Sequence, residues 1–174
     1  YALRNAVEIE TDMMRDGRLT HDPEFTDAFD VILCGVHFAK WIENLDSEDA
    51  RLKAWLDYMD AVLDKPEVDV LSHPFRWIAH VNKGIVPDDA IQRVLGWVEE
   101  RGVALELNSN VNTPETAEVR MLRMAADRGL PVVIGSDSHH RSQILNSNLA
   151  LQRLALAGLT PRDLYIPEIE DFIA

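Results

Sequence analysis

The chain of 174 residues contains a single cysteine, Cys34, so no internal disulfide can form, and this usage suits a reducing, cytoplasmic compartment. The setting of Cys34, Ile32-Leu33-Cys34-Gly35-Val36, reads as a small buried hydrophobe rather than a nucleophile. No apolar run approaches the roughly 20 residues of a membrane helix, and the first residues lack the pattern of a signal peptide. Basic residues are also scarce, 17 against 30 acidic ones, and they form no cluster. The net charge of −13 repels nucleic-acid phosphates and anionic membrane surfaces, so neither is an expected partner. It repels anionic small substrates too, unless cations at a site reverse the local sign. Low-complexity tracts, long linkers and internal repeats are absent.

What is present is an alternation. Apolar runs at Ala6–Ile9, Val31–Val36, Val68–Ser72, Val103–Leu107 and Val132–Ser136 read as strands separated by helical patterns. Leu52, Trp55, Leu56, Met59 and Leu63 mark one helix, with Ser47 as its cap and Glu48 and Asp49 in its first turn. Ile91, Val94, Leu95 and Val98 mark a second, stopped by Gly102. A third opens at Thr113-Pro114 and closes at Gly129, and a fourth runs from about Asn148 to Leu156 before Gly158. Trp55, Trp77, Trp97, Met121 and Met124 read as core or helix-face residues. The expectation is one α/β domain over residues 1–174 with a parallel sheet, large enough to bury about 70% of its unfolded surface.

Ligands of parallel α/β folds gather at the carboxyl ends of the strands. Here the first strand carries Glu8 and Glu10, the second delivers His37, the third His73, and the fifth Asp137 and His139. A lone histidine after a strand is more often a hydrogen-bonded structural residue. Three of six histidines at one topological position, with carboxylates beside them, favour a catalytic metal site. Imidazole and carboxylate are ligands shared by zinc, manganese and iron, and the missing cysteines argue against a structural zinc. Lys40, Arg76, His80 and Arg141 follow strand ends and are candidate phosphate contacts, Arg76 first among them because its guanidinium fork matches phosphate oxygens. His140 and His21 read as peripheral.

In order and spacing, "NAVEIE", "VILCGVHF", "VLSHPF", "ALELNSN" and "VVIGSDSHH" resemble the polymerase and histidinol phosphatase (PHP) superfamily, in "VHF" its histidinol-phosphatase branch. The resemblance implies a distorted barrel of seven βα units with up to three divalent metals (zinc, manganese or iron). It implies Glu8, His37, His73, Asp137 and His139 as ligands, with Asp137 and His139 also serving catalysis. Glu106 would face the barrel interior and Asn108 would stand in the site wall. The implied activity is hydrolysis of a small phosphomonoester by metal-activated water.

The family's opening His-x-His occurs nowhere in this sequence. The chain therefore resembles the C-terminal two-thirds of such a domain, an incomplete barrel of about five βα units, and its activity is expected to be impaired. An unpaired strand edge would then favour a homodimer. Two alternatives stand beside this reading: a non-catalytic metal-binding or regulatory fragment, and an amidohydrolase-like metal hydrolase. A nucleic-acid-processing module is disfavoured by the acidic charge.

Overall fold

A computed structural model describes residues 8–109, 115–144 and 146–165. Its centre is one sheet of five parallel strands in the order β1-β2-β3-β4-β5: β1 Glu8–Asp12, β2 Val31–Gly35, β3 Val70–Leu71, β4 Ala104–Asn108 and β5 Val132–Gly135. The strand order follows the chain order. Right-handed crossovers that always step in the same direction place every connecting helix on one face of the sheet. This winding is compatible with part of a barrel, and the sheet itself is open.

The helices are α1 Lys40–Glu43, α2 Glu48–Leu63, α3 Arg76–Val81, α4 Asp88–Arg101, α5 Glu115–Arg128 and α6 Asn148–Ala157. The Ser47 side chain caps α2 by accepting the Ala50 backbone N–H at 3.1 Å. Gly102 closes α4 at φ 69°, a left-handed conformation that glycine adopts without a Cβ penalty. Trp55 and Met59 of α2, Ile91, Leu95 and Val98 of α4, and Met121 and Leu122 of α5 are fully buried. They pack in one apolar cluster with Cys34, Leu71, Leu105 and Leu107, alternate residues of β2, β3 and β4. Trp97 packs only partly buried against it.

The intervening strand residues point the other way. Glu8, Glu10, Leu33, Val70, Glu106 and Val133 line an open groove of about 1160 Å³. The two sheet faces therefore divide the labour: one builds the core, the other offers carboxylates over an apolar floor.

Two strand expectations are corrected. The first strand runs to Asp12 rather than stopping at Ile9, because Thr11 and Asp12 stay in register with Cys34 and Gly35; Ala6 and Val7 lie outside the described residues. The third strand is only Val70–Leu71, although single ladder bonds from Asp69 N–H to the Ile32 carbonyl and from Ser72 N–H to the Cys34 carbonyl extend its hold. The expected start of the third helix at Thr113-Pro114 also lies outside the described residues.

Candidate metal centre

Three neighbouring strands bring three side chains together. His37 stands two residues beyond β2, and His73 two residues beyond β3, at a left-handed φ of 27°. Glu10 sits in the middle of β1 on the groove face. His73 Nε2 lies 2.9 Å from Glu10 Oε1, and His37 Nε2 lies 3.6 Å from the same oxygen. The two Nε2 atoms are 3.1 Å apart, and the rings meet edge to face at 88°. Bonds of 2.0–2.1 Å at tetrahedral angles put ligand atoms about 3.3 Å from one another, and these three separations scatter around that value. Two imidazole nitrogens facing one carboxylate oxygen are the donor set that a zinc, manganese or iron ion takes. Among the described residues, Glu10, His37 and His73 form the group that could hold a metal ion.

Register explains why Glu10, rather than the Glu8 expected from the sequence, joins the histidines. Glu8 pairs with Val31, four residues before Gly35, and so lies about 13 Å down the sheet from that level. Glu10 pairs with Leu33, close enough for its side chain to reach the strand ends.

Around this group stand residues that the sequence does not single out. Asp12 Oδ1 is 3.0 Å from both the backbone nitrogen and Nδ1 of His37. A carboxylate only accepts, so Nδ1 carries the proton and Nε2 is left bare toward Glu10. Ser72 Oγ lies 2.6 Å from Glu10 Oε1 and 2.7 Å from Glu106 Oε2. The signal for Asp12 was its period-two spacing from Glu8 and Glu10; for Ser72 it was adjacency to His73.

Electrostatics bind the group. Burial works to raise the Glu10 pKa, but hydrogen bonds from His73 and Ser72 and the charges of both histidines outweigh it, and the carboxyl falls to about 2. The hydrogen bond to Asp12 raises the His37 pKa, against partial burial and the nearby Arg76 cation, with the charges of Asp12 and Glu10 adding to the rise. Cys34 is pushed up to about 12 by burial and by the neighbouring Asp12 and Glu10 charges, so it is a core thiol and no nucleophile.

The other sequence-expected residues divide. Asp137, at φ 44°, lines the same groove and pairs with Arg76 Nη1 at 3.1 Å. His139 approaches Asp137 through Nδ1 at 3.3 Å from Oδ1, yet its ring is 74% exposed and stands outside the metal group. Lys40, His80, Arg141 and His140 are exposed. His21 is half-buried between Thr11 and Thr26 hydroxyls. Glu106 faces the groove and Asn108 is fully buried beside it.

No protein-family model matches the chain. The chain is similar to "DNA polymerase/3'-5' exonuclease PolX" of Bacillus subtilis (strain 168), at 24% identity over 134 residues. The match covers 76% of this chain, which spans only 21% of that protein's length.

Proposed function

We propose that this chain is a metal-dependent phosphoesterase of the PHP type, with its metal held by Glu10, His37 and His73. The observation that carries this reading is the meeting of two imidazole Nε2 atoms, each just past the carboxyl end of a parallel strand, with one carboxylate oxygen from the neighbouring strand. A divalent cation there would supply an activated water and neutralise charge on a phosphate ester. Around it, Asp12 holds the His37 tautomer, and Ser72 donates to the carboxylate side of the group. Two observations favour Arg76 as the phosphate contact of this reading: it lies within electrostatic reach of His37, and its Nη1 pairs with a carboxylate oxygen of Asp137 at 3.1 Å. A cation and a guanidinium side by side would draw an anion into an otherwise acidic protein.

The substrate of this reading is a small phosphomonoester, as in the histidinol-phosphatase branch. A second reading, a phosphodiester of nucleic acid, is favoured by the likeness to a polymerase/exonuclease and opposed by the net charge of −13. The test is hydrolysis of p-nitrophenyl phosphate, bis-p-nitrophenyl phosphate and single-stranded DNA by the chain loaded with manganese or zinc. Monoester turnover that is lost with chelator and in His73→Ala supports the first reading. Preference for either diester overturns it in favour of the second, and cleavage of none overturns both.

A further inference from the structure

We propose that Glu106 is the positioning residue of the metal group, fixing the Ser72–His73 turn so that His73 and Glu10 face one point, and that Gly135 exists to make room for it. The inference rests on the metal reading of the same site.

Glu106 is a carboxylate only 4% exposed in the middle of a fully buried strand. Such a group is tolerated only when its oxygens are well supplied with donors. Its Oε2 accepts the Ser72 hydroxyl at 2.7 Å and the His73 backbone N–H at 2.9 Å, and Asn108 Nδ2 lies 3.3 Å from both oxygens. Two of these three donors belong to the two residues that lead β3 into the site. One of them, His73, holds a left-handed φ of 27°, which persists in a residue with a Cβ only where its surroundings over-determine it. Glu106 supplies that determination from the neighbouring strand.

The link continues to the ligand oxygen. Ser72 Oγ is 2.6 Å from Glu10 Oε1, the atom that faces both imidazoles. A hydroxyl has one hydrogen and can donate it to only one of its two carboxylate neighbours at a time. Ser72 therefore joins Glu10 and Glu106 in one unit: a shift of either carboxylate moves the hydroxyl between them. Glu106 itself is not among the residues that could hold the metal, so its effect must pass through Ser72 and His73.

Gly135 shows how closely this unit is fitted. A Cβ built there would stand 1.7 Å from Glu106 Oε1 and 2.7 Å from its Cδ. No left-handed backbone asks for glycine at this position, since its φ is not among the positive ones. What demands glycine is the buried carboxylate on the adjacent strand. Gly35 plays the matching part for the ligand, where a Cβ would come within 3.0 Å of His73 Cε1.

The experiment is cobalt(II) titration of the wild-type chain and of Glu106→Ala, Glu106→Gln and Gly135→Ala, followed through the visible ligand-field bands, with far-UV circular dichroism of each apo-protein. Glu106→Ala and Gly135→Ala should each weaken cobalt binding by about 10- to 100-fold and change the band shape. Glu106→Gln keeps an acceptor oxygen for Ser72 and His73 and should recover most of the affinity. Wild type that binds no cobalt overturns the metal reading and this proposal with it. Wild type that binds while all three variants keep its affinity and bands overturns the proposal alone. Loss of the folded signal in all three, glutamine included, assigns Glu106 to the fold and likewise overturns it.

Discussion

Asp12 Oδ1 lies 3.0 Å from His37 at two points, the backbone nitrogen and Nδ1, and so sets both where the ring sits and which nitrogen it presents. Asp12→Asn removes the charge and Asp12→Ala the acceptor. Either should lower the His37 pKa, since the Asp12 hydrogen bond is the first cause of its rise. Metal affinity should fall by about 10- to 100-fold, the usual effect of losing such a partner. A histidine-resolved NMR titration with zinc-binding isotherms checks both. An unchanged His37 titration in Asp12→Ala would sink the assignment.

The contrast between Glu8 and Glu10 gives a direct test of the register. Elemental analysis after reconstitution should find close to one metal per chain, lost in Glu10→Ala, His37→Ala and His73→Ala. Glu8→Ala should keep its metal, because Glu8 lies too far down β1 to reach the histidines. The reverse pattern would mean that β1 is paired out of step.

Stability of the metal-free protein should depend on pH in two opposite ways. Glu10 is held at about 2 against an ordinary 4.5. A depressed pKa contributes stability that is present above 4.5 and lost as pH falls toward 2. His37 is raised above its ordinary 6.5, so its contribution is complete below 6.5 and lost as pH rises through the raised value. Between these limits both contribute. Urea unfolding across pH 3 to 9, an interval chosen to bracket both ordinary values, should show the alkaline fall disappear in His37→Gln, whose stability is lower below 6.5, while an acid fall from Glu10 remains. Metal affinity should run the other way there and climb as His37 loses its proton.

Arg76 and Asp137 form a partly exposed pair, with 36% and 9% side-chain exposure. Such a pair contributes little, so Arg76→Ala should change stability by less than about 1 kcal/mol. Its effect should appear in substrate binding, with KM for a phosphomonoester rising roughly tenfold or more and Arg76→Lys restoring only part, because a point charge does not replace a bidentate fork. Unaltered KM in Arg76→Ala would remove Arg76 from the phosphate site.

Much of the scaffold is legible in the amino-acid order alone. The three-and-four spacing of Trp55, Leu56 and Met59 and the stop at Gly102 locate α2 and α4, because helical periodicity and capping act over a few neighbouring residues. Strand runs followed by His37, His73 and Asp137 are equally local, and they point to the edge of the sheet where the histidines do meet.

What only the tertiary structure decided depends on one strand's position against another. The choice of Glu10 over Glu8 is a matter of parallel register, and a two-residue offset leaves the alternation of faces unchanged. Asp12 behind His37, Glu106 behind His73 and Arg76 on Asp137 are contacts across 25, 33 and 61 residues of sequence. Likewise, Gly135 reads in sequence as part of the Val132–Ser136 strand, and only the carboxylate packed from the next strand explains why that position is a glycine. Local chemistry determines which residues end the strands. Which of their atoms face one another is settled when separate strands, each twisting and pairing in a single register, are brought side by side.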